Sequence, residues 1–214
     1  MLACGAAAAY ASDVSSVPAI TGAAVSTKTI VVLGDSLAAG YGLDRTEAFP
    51  ALLQGKVNEV GLKFQVVNAG VSGDTSAGGL RRLDWLLKRP VDVLVIELGG
   101  NDGLRGLSAA ALKKNLQSII ERARAKYPEV KIVLAGMKMP TNFGDYATQF
   151  ERVYSELAKE QNVALVPFLL EGVGGRPAMN LPDGIHPTAE GQKVLAENVW
   201  RVLKPVLENS STGG

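Results

Sequence analysis

A serine hydroxyl, an imidazole and a carboxylate can together make a nucleophile, and this chain has one set spaced to do so. His186 is the only histidine among the 214 residues, and Asp183 stands three positions before it in Asp183-Gly184-Ile185-His186-Pro187. A hydroxyl needs an adjacent base to attack a carbonyl at neutral pH, and an imidazole titrates in the range that suits the task. A carboxylate on the second ring nitrogen would fix the tautomer and stabilise the imidazolium that forms. Ser36 follows an apolar run in Leu33-Gly34-Asp35-Ser36-Leu37. A strand-to-helix turn there would lift its hydroxyl to the edge of a sheet, with its own N–H facing a developing oxyanion. Taken alone, Ser36 is better explained as a helix N-cap.

Two further loops carry donors for that oxyanion. Asn68-Ala69-Gly70-Val71-Ser72-Gly73-Asp74-Thr75 has glycines that permit close backbone approach and let a bare N–H point into the site. A plain turn with Thr75 or Ser76 as helix cap is the simpler alternative. In Gly99-Gly100-Asn101-Asp102, the Asn101 amide is a neutral donor of the kind an oxyanion hole uses. Asp102 can brace the loop by accepting backbone N–H groups, and an Asx turn is the alternative here.

These four loops need a scaffold that brings them to one edge. Short, near-continuous apolar runs recur at Thr29–Leu33, Phe64–Asn68, Val91–Leu98, Lys131–Ala135 and Val163–Val166. Such runs read as strands buried on both faces. Helical segments alternate with them. Residues 48–60 and 76–88 give the first two. Leu112, Leu116, Ile119, Ile120 and Ala123 line one face of the third, capped by Ser108 and stopped by Pro128. Tyr146, Phe150, Val153, Tyr154 and Leu157 repeat that spacing in the fourth, and Leu195, Val199 and Val202 mark the last. Residues 28–207 divide into five βα units of about 36 residues, which predicts an α/β three-layer sandwich with a five-stranded parallel sheet. In such sheets ligands sit beyond the carboxyl ends of the strands, where all four loops fall.

Taken together and in this order, the four blocks resemble the SGNH hydrolases, the GDSL-type esterases and lipases. The resemblance covers residues 28 to about 205. It implies a flavodoxin-like fold and a serine esterase needing no cofactor or metal. The triad would be Ser36, Asp183 and His186, and the oxyanion hole Ser36, Gly73 and Asn101. Leu33-Gly34-Asp35-Ser36, Ser72-Gly73-Asp74-Thr75 and the stretch from Glu97 to Gly106 (ELGGNDGLRG) are similar to the bacterial arylesterase and thioesterase I/lysophospholipase L1 subgroup. Met139-Pro140-Thr141-Asn142-Phe143-Gly144 looks like that subgroup's substrate-side loop, with Asn142 and Phe143 as substrate-binding residues. The expected partners are a small acyl ester, of short to medium chain, and water. An acyl-CoA thioesterase or a lysophospholipase would use the same site.

Composition narrows the field further. Lys and Arg number 22 against 21 Asp and Glu, a net charge of +1, so no electrostatic footprint for nucleic acid exists. One cysteine and one histidine leave no Cys-rich or multi-histidine metal set. No apolar stretch is long enough to cross a membrane as a helix. A flavodoxin-like binding module using Gly34–Gly42 for a phosphate is the remote alternative, since the G-x-G-x-x-G spacing and a P-loop lysine are missing. Residues 1–27 are rich in Ala, Ser, Gly and Thr and read as a flexible segment, and 208–214 as a disordered tail. Met1-Leu2-Ala3-Cys4-Gly5 resembles a bacterial lipobox. Behind a basic and apolar leader Cys4 would carry a lipid anchor, and the enzyme would be exported to the periplasm or envelope. A casual cysteine in a loose segment is the alternative. The sequence sets no oligomeric state.

Overall fold

The computed structural model describes Met1 and residues 27–211, so Cys4 and most of the N-terminal segment lie outside the described residues. Five parallel strands, β1 (Lys28–Gly34), β2 (Phe64–Gly70), β3 (Val93–Glu97), β4 (Lys131–Ala135) and β5 (Ala164–Val166), form one sheet in the order β2-β1-β3-β4-β5. Among the described residues seven α-helices accompany them: α1 (Ser36–Ala39), α2 (Phe49–Glu59), α3 (Ser76–Leu86), α4 (Gly100–Leu104), α5 (Ala109–Lys126), α6 (Asp145–Glu160) and α7 (Ala189–Ser211). Helix α2 packs against α7, while α3, α5 and α6 pack side by side, as helices on opposite faces of the sheet do. The expected three-layer α/β sandwich is therefore the fold.

The central strands are as apolar as the runs predict. Ile30, Val32, Leu33, Val93, Leu94, Val95, Ile96, Val133 and Leu134 are fully buried and meet the buried faces of α5 (Leu112, Leu116, Ile119, Ile120) and α6 (Phe150, Leu157). Two expectations change. Strand β2 is an edge strand, and Gln65, Val67, Asn68 and neighbours are exposed or half-buried, so only Phe64 of that run is fully inside. Its Val-Val pair reads as interior because sequence hydropathy carries no information about which strand ends the sheet. The tail expected from 208 is helical as far as Ser211; near its end the Ser210 hydroxyl donates to Val206 O (2.6 Å), and the Lys28 ammonium at the start of β1 donates to Ser210 O (2.6 Å).

The strand order reverses at β1. The chain leaves it for β2 on one side, then returns past it to β3, β4 and β5 on the other. The loops after β1 and β3 therefore diverge at their carboxyl ends and leave a crevice, the usual ligand position in an open parallel sheet. Ser36 follows one of these strands and Asn101 the other.

Candidate active site

Strand β1 ends at Gly34, and Asp35 caps the single turn of α1, its Oδ1 accepting the Leu37 N–H at 3.0 Å. The turn closes at Gly40, whose φ of 74° is left-handed and suits glycine. Ser36 thus stands at the first position of a one-turn helix with Asp35 as the N-cap, which replaces the reading of Ser36 itself as a cap. Gln192 of α7, buried, ties this turn to the last helix: its amide donates to Leu37 O and its carbonyl accepts the Phe49 N–H at the start of α2.

The His186 loop is built to reach it. Leu181 N donates to His186 O at 2.7 Å, and Asn180 donates to Val173 O and Arg176 O, so the loop is anchored at its base. Within it, Asp183 Oδ1 accepts the N–H groups of Ile185 and His186 at 2.9 and 3.0 Å, leaving Oδ2 to the His186 ring, 2.7 Å from Nδ1. The other ring nitrogen, Nε2, lies 3.0 Å from Ser36 Oγ. The Tyr41 ring packs on the imidazole with centroids 4.3 Å apart. Hydrogen bonds from the His186 side chain first, and then from the two backbone N–H groups, lower the Asp183 carboxyl to about 2. Asp183 is thus ionised throughout the neutral range, as an acceptor for Nδ1–H must be.

Helix α3 and the loop before it position the second side of the crevice. Thr75 caps α3, its Oγ1 accepting the Gly78 N–H. Ser76, the other candidate cap, is instead buried against Asp102: its N–H and hydroxyl donate to the Asp102 carboxylate at 2.7 and 2.5 Å. Asp102 therefore braces the two loops against each other, as its position suggests. Gly73 holds φ 83°, a left-handed conformation, and its carbonyl accepts from Arg105 Nη2 at 2.9 Å. Among the described residues neither the Gly73 N–H nor the Ser36 N–H has an acceptor, so both are free to donate to a ligand oxygen. Asn101 Nδ2 donates to Asp74 O at 2.9 Å and to Asp35 Oδ2 at 3.1 Å. The amide is held in place, and both its hydrogens already have acceptors. Donating to a third oxygen requires it to share or release one of them.

Beneath these groups lie two acids whose importance their sequence positions do not announce. Glu97, the last residue of β3, is fully buried, and its Oε2 accepts the N–H groups of Asp35 (3.0 Å) and Ala38 (3.3 Å). Burial, then the neighbouring Asp35 charge, push the Glu97 carboxyl well up. Burial likewise raises Asp35 to about 6 against the pull of the Leu37 N–H and Asn101. A glutamate in an otherwise apolar run was the available signal. Asn142 and Phe143 fall in a short 3-10 turn after β4; Phe143 stacks loosely on Tyr146, and no hydrogen bond or ring contact joins either residue to Ser36, Gly73, Asn101, Asp183 or His186. No group of three or more His, Cys, Asp or Glu among the described residues could hold a metal ion.

The chain is similar along most of its length to several known proteins. Esterase TesA of Pseudomonas aeruginosa is 50% identical over 182 residues, covering 84% of this chain and 90% of that protein. Thioesterase 1/protease 1/lysophospholipase L1 of Escherichia coli K12 is 41% identical over 195 residues, 90% of this chain and 91% of its own length. Among solved structures, esterase EstA from Pseudoalteromonas, inhibited by monoethylphosphonate, superposes with a TM-score of 0.79 at 31% identity, covering 85% of this chain and 99% of EstA. Residues 32–194 match the GDSL-like lipase/acylhydrolase family, and with relatives this similar along nearly their whole length the chain belongs to that family and is a carboxylic ester hydrolase.

Proposed function

We propose that this enzyme hydrolyses short- to medium-chain carboxylic esters through an acyl-enzyme on Ser36. The observation that carries the reading is the pair of distances at one imidazole, 3.0 Å to Ser36 Oγ and 2.7 Å to Asp183 Oδ2. Ser36 Oγ attacks the acyl carbon while His186 Nε2 takes its proton, giving a tetrahedral oxyanion. The Ser36 and Gly73 N–H groups donate to that oxygen, and Asn101 Nδ2 turns one hydrogen to it as negative charge develops. His186 returns the proton to the leaving alcohol as the C–O bond breaks. Water then attacks the acyl-enzyme, with His186 as base again, and the acid and free Ser36 result. Tyr41, Val71, Leu104, Phe143 and Ile185 are exposed apolar residues on the segments that follow the strands, Leu104 at the end of α4, which suits an acyl chain lying in an open groove. Asn142 and Phe143 extend that groove on the β4 side.

A second reading is favoured by the name of the Escherichia coli relative: thioester or lysophospholipid as the preferred substrate of the same groups. Equal-concentration rates on a short aryl ester, an acyl-CoA and a lysophospholipid separate the two, and the ester reading requires the aryl ester to have the highest kcat/KM. Ser36→Ala should abolish turnover with an unchanged circular dichroism spectrum. A phosphonate of the kind that inhibits EstA should label Ser36; a peptide map with the label elsewhere sinks the assignment. We also propose export to the envelope with a lipid on Cys4, tested by labelled palmitate incorporation in cells carrying the full reading frame; an unlabelled, soluble product removes that idea.

A further inference from the structure

Glu97 is chemically out of place. It ends a strand in which all five residues are buried, and it is fully buried itself. Its Oε1 is the one buried side-chain oxygen or nitrogen without a hydrogen-bond partner among the described residues. A buried carboxyl of this kind costs stability, so an apolar residue would be the default unless the group does something. What it touches is the nucleophile turn. Oε2 accepts the N–H of Asp35 and the N–H of Ala38, the residue before Ser36 and the second residue after it. Gly34, paired in register with Glu97, makes room for it: a Cβ at Gly34 would fall 2.4 Å from Glu97 Oε2.

We infer that Glu97 is a positioning residue for the reaction: by holding the two N–H groups that bracket Ser36, it sets where the Ser36 hydroxyl and N–H point and where Asp35 holds the Asn101 amide. The inference rests on Ser36 being the nucleophile. It deepens that reading by naming what fixes the turn from below.

The carboxyl does this as a neutral acid. The ionisable groups around the pair are Asp35 beside Glu97, Asp74 and His186 facing Asp35, and Tyr154 of α6, whose hydroxyl donates to Leu98 O just past the end of β3. Arg82, which reaches this turn, spends its guanidinium on Asp74 Oδ2 and Gly34 O. With no cation partnering them, two buried carboxyls side by side favour carrying one charge between them. Asp35 accepts a hydrogen bond on each oxygen, from the Leu37 N–H and the Asn101 amide, whereas Glu97 Oε1 has no partner, so the charge is better held on Asp35. The two N–H donors then need only a carbonyl-type acceptor, which an amide supplies equally well.

The test compares Glu97→Gln, Glu97→Asp and Glu97→Leu, measuring kcat and KM on an aryl ester from pH 6 to 8, with thermal melts. The glutamine variant should keep kcat within about 3-fold of wild type, at a ratio that stays flat with pH. The leucine variant, with no acceptor, and the aspartate variant, one methylene short, should lose about 30-fold or more in kcat with KM changed less than about 3-fold. A leucine variant with wild-type kcat overturns the inference, and so does a glutamine variant that melts like wild type but falls below a tenth of its kcat. Should the leucine variant fail to fold, glutamine against aspartate decides: equal kcat in both overturns it. Ser36→Ala, run alongside, keeps the two ideas apart. Activity surviving in that variant defeats the nucleophile assignment whatever Glu97 does, whereas a dead Ser36→Ala with an active leucine variant defeats this inference alone.

Discussion

At the scale of single residues the site divides into groups that touch the reacting atoms and groups that aim them. Asn101 belongs to both sets, because the hydrogens it would offer an oxyanion are held by Asp35 and Asp74 in the free enzyme. Its contribution is then realised when charge develops rather than when substrate binds. Asn101→Ala should lower kcat by ~100-fold or more, roughly 3 kcal/mol in the barrier, with a smaller change in KM. A variant with unchanged kcat would show that Asn101 only ties the two loops together. The grouping of Ser36, Asp183 and His186 was legible because Ser36 stands just past an apolar run and because the histidine is unique, with Asp183 three positions before it. Asp35 and Glu97 were not legible as partners. Their roles come from a register pairing of β1 with β3, and residues 62 positions apart in sequence become hydrogen-bonded only once the sheet is assembled.

At the scale of elements, Ser36, the proposed nucleophile, depends on a four-residue helix wedged between the end of β2 and the start of α2. Gly70 is the contact. A Cβ there would sit 2.3 Å from Ala39 N and 2.8 Å from Ala38 C, both backbone atoms of α1 that cannot swing aside. Gly70→Ala should therefore cost about 1–3 kcal/mol of stability by overpacking and lower kcat several-fold, since α1 must move with Ser36 on it. Gly55, in the middle of α2 with nothing within 4 Å of its Cβ, is the opposite case. Gly55→Ala should stabilise by about 0.5–1 kcal/mol and leave kcat alone. Thermal melts and initial rates on both variants check this; equal Tm shifts would refute the contrast. The longer helices could be read from periodicity, and α5 ends where Ser108 and Pro128 predict. Helices α1 and α4 could not. Four and five residues give less than two turns of pattern, and their form is imposed by caps and by the sheet edge rather than by a hydrophobic stripe. The edge position of β2 escaped for a related reason: strand order is a property of the assembled sheet.

At the scale of the whole molecule, the buried acids under the nucleophile set how stability depends on pH. Asp35 is raised to about 6 from an ordinary value of 3.8, so above pH 3.8 the unfolded chain sheds its proton while the folded chain keeps it. The folded state then binds more protons, and stability falls as pH rises until Asp35 ionises there too. The window runs from about pH 4 to 6 and is worth about 3 kcal/mol at 1.36 kcal/mol per unit. Glu97, raised well above its ordinary value, extends the fall in the same direction to higher pH. Asp183, lowered to about 2, acts oppositely: it stabilises above pH 3.8, and that gain is lost as pH falls through 2. Its window lies below that of the buried pair, so the two do not cancel. For a chain this size 3 kcal/mol is roughly 6–12 °C in Tm. The wild-type Tm should therefore drop by at least that much between pH 4 and pH 7, and Asp35→Asn, which keeps an acceptor for the Leu37 N–H, should flatten the slope and melt higher than wild type at pH 7. Its activity should fall at the same time, because an asparagine there turns a neutral amide instead of a carboxylate towards Asn101. Calorimetric melts at pH 4, 5, 6 and 7 on both proteins decide it, and parallel Tm curves would mean that the acids beneath Ser36 carry no such cost. What the chain gains for keeping two acids in its core without a cation beside them is a Ser36 turn held from below by groups that never leave the protein.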